Sequence, residues 1–397
     1  MAQATQEYGD WPLKRLMTEV VGSGHKSADD MDRAQAREAM ARILGGKPDH
    51  TTLGAFWLAN RWKRNTPEEL AAFLDVMREE SVETAEPTAD PVDCGANYDG
   101  KGRSAILGVA AGVVAAAAGT PVVAHSGDRV PTQKQDAYKH VLDELGVETD
   151  LDPGESADMV DDVGFGFYYQ PNFNPGVVKL LDRRDEMGVR TFVNTVETLA
   201  NPANADVHLG SFYHLPFAIR MTDTLRVARS QDVARTLFFQ GMEGYDDVRP
   251  GTTVVAEWGS VRRTDELSSE ERTRGATDGS ATDVRAESEA NRESSDPRDG
   301  DGDQGLDDFE IETAEYGMDF ESEDLGVADV AADSARITEA VLAGERDDGF
   351  ADAVALNAAL RIYAREDADS LRDGLGDARA AIDDGSAAAV LADLQAF

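Results

Sequence analysis

The chain has 397 residues, 77 of them acidic and 38 basic, giving a formal net charge of -39 and a pI near 4.3. An excess of that size opposes compaction through self-repulsion, and because the acid is spread over every segment it implies a salt-rich cytoplasm, where the Debye length falls to about 3 Å. The single cysteine, Cys94, excludes an internal disulfide, no apolar run approaches a membrane span, and the opening MAQATQEYGDWPLKRLM lacks an apolar core of signal-peptide length. The expectation is a soluble, cytoplasmic protein.

In chain order, residues 1–84 read as a helical domain. Leu13, Leu16, Met17, Val20 and Val21 recur at helical spacing; Asp29 to Leu44 is a second such stretch, stopped by Gly45–Gly46; Leu70, Phe73, Leu74 and Met77 mark another. A linker from Ala85 to Pro91 carries two prolines. From Val92 onward strand and helix patterns alternate, predicting an α/β domain with a mostly parallel central sheet over residues 91–258 and 309–397. Between Gly259 and Gly305 there is no Ile, Phe, Tyr, Trp or Met, so 259–308 is expected to be a disordered, acidic, low-complexity insertion in a loop between sheet elements. Alanine-rich stretches Ala328 to Ala343, Ala351 to Arg365 and Ser370 to Ile382 predict three closing helices.

The segment Asp93 to Gly146 carries the chemistry. Gly95, Gly100 and Gly102 permit close backbone approach, Asn97, Asp99, Lys101, Arg103 and Ser104 make the turn polar, and a helix starting near Ser104 would aim free N–H groups at an anion. The apolar strand Pro121 to Ala124 then leads into a second polar turn, His125–Ser126–Gly127–Asp128. Two polar turns at neighbouring strand ends suit an anion pocket at the carboxyl edge of a sheet; an ordinary βαβ unit with glycines serving its turns is the other reading. Cys94 reads as a small buried residue closing a strand, and the six histidines offer no i, i+4 metal pair with a glutamate.

This segment resembles the nucleotide-binding segment of the anthranilate phosphoribosyltransferases and their nucleoside phosphorylase relatives, with its GTGGDG-type turn, alanine-rich helix and KHGN turn. The run Phe56 to Leu70, the signature from Val163–Gly164–Phe165–Gly166–Phe167 through Met187–Gly188–Val189–Arg190–Thr191–Phe192–Val193–Asn194 to Leu199–Ala200–Asn201–Pro202, and Leu356–Asn357–Ala358–Ala359 fit the same family. The resemblance implies a helical domain facing an α/β domain across a cleft, a homodimer formed through the helical region, and transfer of ribose 5-phosphate from phosphoribosyl pyrophosphate to an aromatic amine or nucleobase-like acceptor with Mg2+. It also implies a diphosphate site at Gly95, Asn97, Asp99, Gly100, Lys101, Arg103, Ser104 and His125, an acceptor site at Arg184 with Tyr168 available for stacking, and a magnesium site at Asp246 and Asp247.

The sequence departs from the family pattern at several of these places. Ala105, Leu107 and Gly108 stand where the family has Asn, Ser and Thr, Ala124 replaces the KHGN lysine, and Glu197–Thr198 replace a Gly–Pro pair. A second reading is therefore a catalytically silent nucleic-acid or nucleotide-binding protein on the same fold. A free basic stripe of Lys101, Arg103, Arg129, Lys134, Lys179, Arg183 and Arg184 would favour it.

Overall fold

The computed structural model describes residues 28–261 and 306–397, together with Leu13. The remainder of the helix expected at Leu13 to Val21, and most of the insertion expected at 259–308, fall outside the described residues. Three helices open the described chain: α1 (Arg33–Leu44), α2 (His50–Lys63) and α3 (Pro67–Glu80). Asp32 and Thr66 cap α1 and α3 with reciprocal side-chain bonds to the third helical residue, as their D-x-x-Q and T-x-x-E spacings require. Lys63 and Glu69 pair in the interior at 2.6 Å, and the Met31 amide donates to Glu69, so one buried carboxylate ties the ends of three segments together.

After the linker come β1 (Val92–Gly95), α4 (Gly108–Ala117), β2 (Val122–Ser126), α5 (Tyr138–Glu144), α6 (Pro153–Val163) and β3 (Phe165–Tyr169). Four short helices follow: α7 (Gln170–Phe173), α8 (Pro175–Val178), α9 (Leu181–Met187) and α10 (Val193–Val196). The chain continues through β4 (Val207–Phe212), α11 (Leu215–Val227), β5 (Arg235–Gln240), β6 (Thr252–Gly259) and β7 (Leu306–Glu312), and ends in α12 (Val330–Leu342), α13 (Gly349–Ala364), α14 (Leu371–Asp383) and α15 (Ser386–Ala396).

The seven strands form one sheet in the order β3-β2-β1-β4-β5-β6-β7, parallel from β3 to β5 and antiparallel at β6 and β7. This is the helical plus mostly parallel α/β architecture expected from the sequence. Side chains alternate across it with the strand period of two: Val122 and Ala124 enter one core with α4 and α12 to α15, whereas Val123 enters the other with α1 to α3 and α11. The chain runs from β1 outward to β2 and β3, then returns to the opposite side of β1 with β4. The carboxyl ends of β1 and β4 therefore form the topological switch point where α/β sheets place their ligand crevice.

Four expectations are corrected by the structure. The alanine-rich helix begins at Gly108 rather than near Ser104, because Lys101 and Ser104 form bridges with Asp136 and Gly326 that hold the preceding turn extended. His125 and Ser126 belong to β2, paired with Tyr168 and Tyr169, rather than to a turn. β7 begins at Leu306, which pairs with Trp258, ahead of the Asp308 boundary. A fourth closing helix, α15, follows Gly385, whose φ of 82° turns the chain out of α14.

Candidate active site at the sheet switch point

The turn after β1 occupies the switch point, and close contacts fix its glycines. A Cβ on Gly95 would lie 2.0 Å from the Thr198 carbonyl oxygen, and Gly100, at φ +92°, would meet the Gln135 and Asp136 backbone at about 2.5 Å. Within the turn, the backbone N–H of Gly102 donates to Glu243 at 3.3 Å, and the amide and hydroxyl of Ser104 donate to the same carboxylate at 2.9 and 2.7 Å. The Gly102 and Ser104 donors of the turn thus converge on one point, and a carboxylate of the protein itself occupies them. Burial would raise the Glu243 carboxyl, but the Ser104 hydroxyl and the turn's amides outweigh it and hold it below the usual range.

Most charged residues of the site face a partner of opposite charge within the protein. Lys101 is buried, its ammonium 2.6 Å from Asp247 Oδ2 and 2.7 Å from the Ala105 carbonyl oxygen. Asp246, equally buried, pairs with Arg361 of α13 at 2.6 Å, and Asn357 on the same helix accepts from the Val248 amide, pinning the carboxylate loop. Asp99 holds Arg190 through two bonds of 2.8 and 2.5 Å. Arg184 of α9 is clasped by Glu197 through bonds of 2.8 and 2.6 Å. Arg103 alone among the turn's cations is open, its side chain 86% exposed beside Glu243.

These pairs decide how the expected magnesium ligands are read. Asp246 and Asp247 carry two negative charges already balanced by Lys101 and Arg361, and no group of three metal-ligating side chains is assembled among the described residues. A hard cation wants several oxygen ligands around uncompensated charge. Asp246 Oδ1 and Asp247 Oδ1 are nevertheless buried without a hydrogen-bond partner, so the pair keeps two oxygens of the kind a hard cation takes.

His125 and Tyr168 also differ from their expected roles. His125 is fully buried, bonded to the Tyr98 hydroxyl through Nδ1, with Nε2 3.1 Å from Asp93; the other Asp93 oxygen bonds His208 at 2.8 Å. Neighbouring strands deliver this Tyr–His–Asp–His chain, since Asp93 lies beside His208 across the β1–β4 ladder and His125 is the last residue but one of β2. Burial would raise the Asp93 carboxyl, yet the two histidines, His125 foremost, hold it below the ordinary range. Tyr168 is a core residue with its hydroxyl donated to the Ala85 carbonyl, so it offers no face for stacking. Asn97 remains partly exposed, its amide 3.7 Å from where a Cβ on Gly244 would lie. Cys94 is buried as expected, and burial pushes its thiol up to about 12.

Sequence reasoning missed Glu243, Arg361 and Arg190, and read Glu197 only as a lost glycine. Arg361 had a signal: it follows Asn357 by one turn inside a run that is otherwise apolar, where a charge needs a buried partner. Glu243 had none, because its partner turn is 139 residues away.

A helical segment joined to an α/β domain with its crevice at the β1–β4 switch point is the architecture of a class of glycosyl transferases. The family model described as "Glycosyl transferase family, a/b domain" matches residues 93–296 and 298–388, and that of the family's helical bundle domain matches residues 20–81. An anthranilate phosphoribosyltransferase of Symbiobacterium thermophilum is 31% identical over 97% of each chain, and one of Natronomonas pharaonis is 28% identical over 93% of this chain and 96% of its own. The crystal structure of the Thermus thermophilus anthranilate phosphoribosyltransferase superposes with a TM-score of 0.72 at 24% identity, covering 97% of this chain and 98% of its own. The Saccharomyces cerevisiae enzyme in complex with phosphoribosyl pyrophosphate and Mg shares the fold at a TM-score of 0.71 and 18% identity, over 97% and 98% of the two chains. The chain belongs to the anthranilate phosphoribosyltransferase family of glycosyl transferases. No described helix is long and apolar enough to cross a membrane.

Proposed function

We propose that the protein transfers a 5-phosphoribosyl group from phosphoribosyl pyrophosphate to a nitrogen of an aromatic amine or nucleobase-like acceptor. The observation that carries this reading is the turn at the switch point, whose Gly102 and Ser104 donors already converge on a carboxylate and so have the geometry to hold a diphosphate oxygen. In the reaction the acceptor nitrogen forms a bond to the anomeric carbon, the bond from that carbon to the pyrophosphate oxygen breaks with its electron pair, and the nitrogen loses a proton to solvent. Such a step needs positioning and charge stabilisation more than covalent chemistry.

In this proposal Gly95, Asn97, Asp99, Gly100, Lys101, Arg103 and Ser104 form the diphosphate side. Gly95 and Gly100 allow the turn to close, Asp99 fixes Arg190 at its rim, and Arg103 supplies an exposed cation. His125 supports the turn from beneath through Tyr98. Mg2+, which the Saccharomyces cerevisiae structure holds together with phosphoribosyl pyrophosphate, would supply charge neutralisation of the leaving diphosphate. We further infer a homodimer formed through the helical domain of residues 1–84, and a salt-rich cytoplasm that screens the charge of -39. A polyanion-binding role is not favoured. Five of the seven cations that would form its stripe face carboxylates: Lys101 with Asp247, Arg103 with Glu243, Arg129 with Asp136, Lys134 with Asp185 and Arg184 with Glu197. Calorimetric titration with magnesium phosphoribosyl pyrophosphate in high salt tests the reading: saturable one-to-one binding supports it, and its absence sinks it.

A further inference from the structure

Glu197 and Arg184 form a closed ion pair at the switch point. Arg184 is 1% exposed and Glu197 fully buried; both carboxylate oxygens are taken by the guanidinium fork, and Gln170 Nε2 adds a third bond at 2.9 Å. The segment lies directly over the carboxyl end of β1, because the carbonyl oxygen of Thr198, next in sequence, would touch a side chain at Gly95. Gln170, the first residue beyond β3, keeps its Oε1 buried with no hydrogen-bond partner. Around this pair two buried polar atoms lack a partner, the acceptor Gln170 Oε1 and the donor Arg184 Nε, while the two terminal nitrogens of the guanidinium are taken by Glu197.

We propose that Glu197 is a built-in carboxylate that closes Arg184 to carboxylate ligands and makes the acceptor site selective for an uncharged aromatic nitrogen compound over an aromatic acid. The proposal rests on the phosphoribosyl-transfer reading and names its acceptor class. A guanidinium fork holds one carboxylate in this bidentate geometry. An acid seeking Arg184 must expel Glu197, leaving a buried carboxylate unpaired, or else join the pair and bring a net negative charge into a dry site. Both routes are unfavourable. An uncharged ligand meets no such barrier, and one bearing N–H groups supplies the donor that Gln170 Oε1 lacks.

The test compares two acceptors of nearly the same shape, anthranilate and its uncharged amide, anthranilamide, by calorimetric titration of the wild-type protein loaded with magnesium phosphoribosyl pyrophosphate. Wild type is expected to bind the amide at least tenfold more tightly. Glu197→Gln is expected to reverse that order, and benzoate is expected to raise the melting temperature of this variant but not of wild type. Should Glu197→Gln fold poorly alone, refolding yield with and without benzoate reads the same difference. Equal or tighter binding of anthranilate by wild type overturns the proposal, as does a benzoate effect that is the same in both proteins. Failure of the donor to bind wild type instead marks the failure of the transfer reading, and the benzoate comparison, which needs no donor, still decides the role of Glu197.

Discussion

Glu243 occupies the place of an anion in a turn built from backbone donors, although its own backbone sits at φ 55°, a conformation uncommon for a residue other than glycine. A ligand phosphate must compete with it for the Gly102 and Ser104 donors. Glu243→Gln should therefore tighten binding of inorganic pyrophosphate, by about tenfold if about 1.4 kcal/mol of competition is removed; titration of both proteins checks this, and weaker binding by the variant would show that the carboxylate orders the turn. Asp247 poses the opposite case. Asp247→Asn leaves the Lys101 ammonium buried beside a neutral group, and should lower stability in denaturant melts by about 3 to 5 kcal/mol, whereas Arg103→Ala, at an exposed side chain, should change it by less than about 0.5 kcal/mol. Asp93 gives a pH prediction. Its folded carboxyl lies below the ordinary value of about 3.9, so its contribution is complete above that value and is lost as pH falls below it toward the folded value. Melting curves taken as pH falls from about 6 to about 3 should show a steeper loss for wild type than for Asp93→Asn.

At the scale of elements, the antiparallel pair β6 and β7 sets how the segment between them is tolerated. Trp258 and Leu306 are register partners, so their strand ends lie side by side and a short connection can join them. Replacing residues 262–305 with a short Gly/Ser turn should leave the melting temperature nearly unchanged, since each doubling of loop length contributes only about 0.6 kcal/mol; a large drop would mean that the segment packs on the body. Elements of this kind were legible because their signals are local. The i, i+3, i+4 spacing of Leu70, Phe73, Leu74 and Met77 gave α3, and glycines with polar neighbours gave the turn after β1. What stayed hidden was set by distant chain. Whether Lys101 faces a ligand or Asp247 depends on a residue 146 positions away, and the start of α4 depends on bridges to Asp136 and Gly326. The closing helix α15 escaped notice because its alanine-rich sequence carries a weak amphipathic pattern and is separated from α14 only by a brief turn at Gly385.

For the whole molecule, 77 acidic residues against 38 basic ones oppose compaction through self-repulsion, which salt screens. The melting temperature should rise steadily with potassium chloride toward molar concentration, and a flat or falling curve would contradict the proposed salt-rich setting. The site adds a second consequence of charge. Asp99, Asp246, Asp247 and Glu197 each face a cation, so these pairs add little net charge to the site of a strongly anionic molecule. The most direct measurement of the central claim is acceptor-dependent release of pyrophosphate from magnesium phosphoribosyl pyrophosphate in high salt, assayed across uncharged aromatic amines and nucleobases. Release that requires both donor and acceptor, in equal amount to the ribosylated product, is the predicted result; no release above the hydrolytic background with any acceptor would contradict it.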